Sequence, residues 1–82
     1  MPTIMRIGGL RVAIYPNDHR PPDVHVIGPN GEAVFYLNAP DGPPSLRSSK
    51  GFTMAELNRI ASALMADIEN LIAHWNRFHG NH

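Results

Sequence analysis

From residue 53 onward the chain carries apolar side chains at the spacing of a helix, and this repeat constrains the fold more than anything else in the sequence. Leu57, Ile60, Leu64, Ile68, Leu71, Ile72, Trp75 and Phe78 fall on one stripe. Thr53 and Glu56 stand at capping-box spacing, so the threonine oxygen can accept from the Glu56 N–H while the glutamate reaches back. Phe52 and Leu57 flank that box as a hydrophobic staple does, and Gly80 is placed to end the helix. A helix over residues 54–79 would be about 39 Å long at 1.5 Å per residue. Such a stripe must be covered by something.

The first half of the chain supplies a β-sheet as cover. Residues 3–7 and 10–15 are β-rich runs separated by Gly8-Gly9, a pair that suits a tight hairpin because both turn positions can take positive φ. That turn sets Ile7 against Leu10, Met5 against Val12 and Thr3 against Ile14, with Arg6 opposite Arg11 on the other side. A second hairpin, residues 23–27 and 32–38, turns at Gly28-Pro29-Asn30-Gly31. It pairs Val26 with Ala33 and Val24 with Phe35, and on the other face His25 with Val34 and Asp23 with Tyr36. The expected architecture is α+β: an antiparallel sheet of about four strands, two hairpins, packed on one long C-terminal helix. Met5, Ile7, Leu10, Val12, Ile14, Val24, Val26, Phe35 and Leu37 should form the covered face.

Residues 39–51, APDGPPSLRSSKG, show no periodicity and join sheet to helix. Their composition predicts the least ordered internal segment, with room for a short strand at residues 45–48. Strands of five to seven residues span only about 17–24 Å, less than the helix. Either the helix bends near residues 67–70 or its end overhangs the sheet. Overhang is the preferred reading, and it implies a homodimer through Leu71, Trp75 and Phe78.

At 82 residues the chain reads as a single domain, 1–82. A domain this small buries only about 60% of its unfolded surface, so self-association is a ready source of stability. There is no cysteine, which removes disulfides and thiolate metal sites. Seven basic and seven acidic residues cancel, so no global field draws the chain to nucleic acid, although a local patch still can. Without a long apolar run or an apolar leader, a cytoplasmic location without membrane contact is expected.

The chemistry concentrates in residues 17–26, NDHRPPDVHV. Pro21-Pro22 stiffens this connector and displays its titratable groups on an extended backbone. His19 and His25, flanked by Asp18 and Asp23, have the composition of a metal-independent acid–base pair. One imidazole would take a 2′-hydroxyl proton and the other protonate the leaving oxygen, with Arg6, Arg11 or Arg20 stabilising the phosphorane. The alternative is ordinary: Asp18 caps a turn, His19 bonds a carbonyl and His25 is an exposed strand residue. His19, His25 and a carboxylate could instead hold a metal, but their six-residue offset fits neither a helical pair nor one face of a strand. Neither a metal nor another cofactor is expected. Arg6, Arg11, His25 and Tyr36, on the face away from the helix, have the makings of a nucleic-acid platform, and a solvated sheet face is the plain alternative.

The string MPTIMRIGGLRVAIY, followed by NDHRPPDVHV and a Gly-Phe-capped helix containing a tryptophan, resembles small bacterial proteins of the domain-of-unknown-function family 4160. In that family the residue at position 23 is typically histidine, and here it is aspartate. The resemblance implies no assigned chemistry. It implies a gene context like that of toxin–antitoxin modules, with a small partner protein encoded nearby. Three functions follow as expectations: a toxin-like protein acting on RNA through His19 and His25, a non-catalytic protein- or nucleic-acid-binding module of such a pair, and a His/Asp metal-binding hydrolase.

Overall fold

The computed structural model describes residues 3–14, 21–38 and 42–79. Among these, five strands form one antiparallel sheet in chain order: β1 (Thr3–Ile7), β2 (Leu10–Ala13), β3 (Asp23–Ile27), β4 (Glu32–Tyr36) and β5 (Ser45–Lys50). Two helices follow, α1 (Met54–Ala66) and α2 (Ile68–His79). The α+β class stands, with two corrections: one more strand than expected, and a divided helix.

The first hairpin turns at Gly8, whose φ of 59° suits a residue without Cβ. Ile7–Leu10, Arg6–Arg11 and Met5–Val12 pair as the turn dictates. Thr3 then faces Ala13 and not Ile14, because Ile4 is an extra residue in β1. This bulge lets Ile4 and Met5, neighbours in sequence, both pack against the core. The second hairpin closes with the Gly28 N–H donating to the Gly31 carbonyl at 2.9 Å. All four of its expected pairs are present.

The joining segment does more than connect. Its second half is β5, paired along β4 from Tyr36–Ser45 to Glu32–Lys50, with Arg47 as the extra residue of a bulge. Asn38, at φ 55°, starts the turn: its Nδ2 donates to the Pro43 carbonyl at 2.7 Å and to Ser45 Oγ at 3.0 Å. At the far end Gly51, φ 86°, lies so close to the Asn30 carbonyl that no Cβ would fit. The expectation of disorder is thus corrected for residues 45–50, while residues 39–41 lie outside the described residues.

The capping box is formed: the Thr53 N–H donates to Glu56 Oε1 at 2.8 Å and the Glu56 N–H to Thr53 Oγ1 at 3.1 Å. The backbone bond from Thr53, then its side-chain bond, hold the Glu56 carboxyl below its usual range. The helix breaks at Asp67, φ −120° and ψ 23°. The Asp67 carbonyl accepts from the Leu71 N–H at 3.0 Å, and its carboxylate accepts from Asn70 Nδ2 at 2.8 Å, so Asp67 closes one helix and starts the next. With 13 residues, α1 spans about 20 Å, the length of a strand.

The break turns the distal stripe back into the core. Leu71 is 0% and Trp75 2% exposed, in one cluster with Ile14, Phe35, Leu37, Leu64 and Ile68. The overhang is therefore corrected, and with it the argument for a dimer through Leu71 and Trp75; the Phe78 side chain lies outside the described residues. Val12, Val24 and Val26 complete the inner sheet face, joined by Ala33, while Met5, Ile7 and Leu10 pack at its border.

Candidate functional site on the outer sheet face

Strand alternation puts every second residue on the face turned away from the helices, and the pairing registers order these into rows. One row crosses all five strands: Arg6, Arg11, Ile27, Glu32, Lys50. The next runs Thr3, Ala13, His25, Val34, Ser48, and a third joins Asp23, Tyr36 and Ser45. The register thus unites on one surface residues that are far apart in sequence.

The middle of this face is closed. His25 is 9% exposed and Asp23 4%, and Ala13 and Val34 beside His25 are buried too. This corrects the reading of His25 as an exposed strand residue. It also narrows the nucleic-acid platform, since His25 offers little surface and Tyr36 is only half-exposed.

Both buried polar groups have ionic neighbours. Asp23 Oδ2 lies 3.4 Å from Arg47 Nη1, which the β5 bulge brings across β4. His25 Nδ1 lies 3.8 Å from Glu32 Oε2, a charge pair whenever the imidazole is protonated. Lys50 stands opposite Glu32 in the neighbouring strand. Acid and base therefore alternate over β3, β4 and β5.

The β1–β2 corner differs. Arg6 and Arg11 are direct cross-strand partners, Arg6 exposed and Arg11 half-buried. Among the described residues no carboxylate forms an ion pair with either. Directly opposed residues hold their Cβ atoms only about 4.5–5.5 Å apart, so two arginine side chains leave the same patch of the sheet without an internal counter-charge in the described set.

Of the sequence-derived candidates, Arg6, Arg11, Asp23, His25 and Tyr36 share this face. Asp18, His19 and Arg20 lie outside the described residues. Among the described residues, no three His, Asp or Glu side chains are grouped as metal ligands. Among the described residues, the carboxylate beside His25 Nδ1 is Glu32, not Asp23. Arg47 and Lys50 are candidates in sequence for contact with an anion; Glu32, and the pairing of Arg47 with Asp23, are what sequence reasoning missed. The second-hairpin pairing could have flagged Glu32, two residues along the same face, whereas Arg47 depends on a bulge with no sequence signal.

The model of the family described as domain of unknown function DUF4160 matches residues 9–76, most of the chain. The chain belongs to this family. No curated protein and no solved structure matches it. The matched region takes in β2 to β5 and nearly all of both helices, so the outer face from Arg11 to Lys50 is family territory. Asp23, where the family resemblance leads one to expect histidine, is here a buried anion facing Arg47. Among the described residues, no helix is long and apolar enough to cross a membrane.

Proposed function

We propose that this chain is the non-catalytic nucleic-acid-binding member of a toxin–antitoxin-like pair, holding RNA by its phosphates at the Arg6–Arg11 corner. The observation that carries this reading is the cross-strand arginine pair. Like charges in register destabilise a sheet by a fraction of a kcal/mol, and a bridging phosphate turns that repulsion into two charge-assisted contacts. Phosphate contacts position a strand without reading its sequence, which suits a face with one half-exposed aromatic and few base-edge donors.

The test is the salt dependence of binding to a single-stranded RNA oligonucleotide. Losing two phosphate contacts should flatten the slope of log K against log salt by about 1.4, from roughly 0.7 per contact. Arg6→Gln/Arg11→Gln should show that change, and an unchanged slope refutes the corner.

A second reading is favoured by one distance, the 3.8 Å between His25 Nδ1 and Glu32 Oε2. At that distance the carboxylate is an electrostatic neighbour that a small shift would bring into hydrogen-bond reach of the ring, as a general base needs, and His19 would be the counterpart of His25. RNA cleavage that survives chelators, follows a bell-shaped pH profile and disappears in His25→Gln would favour this reading over binding alone.

A further inference from the structure

The sheet is open, and its last strand is unlike the others. All six residues of β5 are exposed, and its outer edge meets no strand among the described residues. An edge of this kind carries backbone donors and acceptors in a row, and proteins commonly guard it with cations and bulges. Both devices are present in β5: Arg47 is the bulge residue, and Lys50 ends the strand. They discourage a second copy of the same cationic strand. For an acidic strand the same charges are an attraction.

The register says which side of an added strand would meet what. Leu46 pairs with Phe35, a core residue, so Leu46 lies on the helix side of the sheet, where it remains 43% exposed. Met65 of α1 is 41% exposed, and its sulfur sits 3.0 Å from where a Cβ on Gly42 would be, near the start of β5. Lys50 and Ser48 pair with Glu32 and Val34 and so lie on the outer face, where Arg47 also reaches Asp23. The helix side of the edge carries Leu46, with Ser49 opposite Ala33, and the outer side carries Lys50 and the half-exposed Arg47, whose guanidinium also faces Asp23.

We propose that the outer edge of β5 is a docking edge for an extended segment of a partner protein with alternating acidic and apolar residues. Its main chain would continue the ladder, its acidic side chains would meet Arg47 and Lys50, and its apolar ones would cover Leu46 and Met65. The strand is held ready at both ends, by Asn38 on Ser45 and by the close approach of Gly51 to Asn30, which lowers the ordering cost of docking. This edge is separate from the Arg6–Arg11 corner and does not depend on the RNA reading.

The experiment titrates the full-length, nitrogen-15-labelled protein with a blocked eight-residue peptide alternating valine and glutamate. Its controls are the valine–lysine peptide and a valine–glutamate peptide with a central proline. The acidic peptide should move the amides of residues 45–50 and of Met65 and slow exchange along β5; neither control should do so. Lys50→Glu and Leu46→Asn should each weaken binding by about two- to fivefold, the worth of one cross-strand pair. Equal binding of the lysine or proline peptide overturns the proposal. So do shifts confined to Arg6 and Arg11, and so do β5 shifts that appear with protein concentration alone, which would make a second copy the occupant.

Discussion

The two faces of the sheet solve the problem of burial in opposite ways. Over β1 to β4 the inner face is apolar and is closed by α1 and α2, with Trp75 at 2% exposure, while the helix side of β5 stays open. The outer face closes its middle with charged and small residues: Asp23 against Arg47, His25 against Glu32, Ala13 and Val34 between. One face buries apolar area alone, whereas the other also buries polar groups and sets an ionic neighbour beside each. Only the outer face has a place, Arg6 beside Arg11, where the matching fails among the described residues. A mismatch on a face otherwise matched points to something from outside.

Four perturbations probe that contrast, in order of expected size. Trp75→Ala should cost about 3–5 kcal/mol, as for a buried tryptophan, with loss of cooperativity in a denaturant melt. If the change is near zero and the protein falls from dimer to monomer, the tryptophan lies at an interface and the inner-face account is wrong. On the outer face, Asp23→Ala should cost about 1.5–3 kcal/mol, the worth of a hydrogen bond to a charged group, reduced toward the lower end because Arg47 is half in water. Arg47→Ala in the same background should add little, and full additivity in the cycle would show that the two side chains do not act as a pair.

The third acts where the inner face is anchored. Thr53→Ala should cost about 1 kcal/mol through loss of the capping box. Because the Glu56 carboxyl titrates below its unfolded range, its contribution is complete above that range and is lost as pH falls through the lowered value. The stability gap between wild type and Glu56→Gln should therefore close in acid. A gap that widens in acid contradicts the capping geometry. The smallest effect is Arg6→Thr, which relieves like charges and should stabilise the sheet by a few tenths of a kcal/mol while weakening RNA binding.

How far these faces could be read beforehand follows from their physics. The inner face was legible because a 3.6-residue stripe and two alternating hairpins leave few other ways to bury Leu64, Val24 or Phe35. The capping box and the pairings of His25, Asp23 and Arg6 came with the turn geometry. The break at Asp67 was not legible as more than one option: aspartate between two apolar turns is compatible with an unbroken helix, and only the burial of Leu71 and Trp75 in one cluster with Ile14 and Leu37 decides it. β5 was half-legible, since SLRSSK lacks an apolar alternation and is held by pairing to β4, by Asn38 and by Arg47 on Asp23. The outer site was located by its histidine and arginines, but its organisation was not. Burial of His25 depends on neighbours from three strands, which no local pattern encodes.

The most direct test of the outer-face account compares two variants in one RNA-binding assay at fixed low salt, with the RNA checked for integrity after each measurement. Arg6→Gln/Arg11→Gln should weaken binding about tenfold or more, about 1.4 kcal/mol for each factor of ten. His25→Gln should bind as wild type once corrected for folded fraction, with the RNA intact throughout. Undiminished binding by the arginine variant, or RNA cleaved by wild type and spared by His25→Gln, would contradict the account.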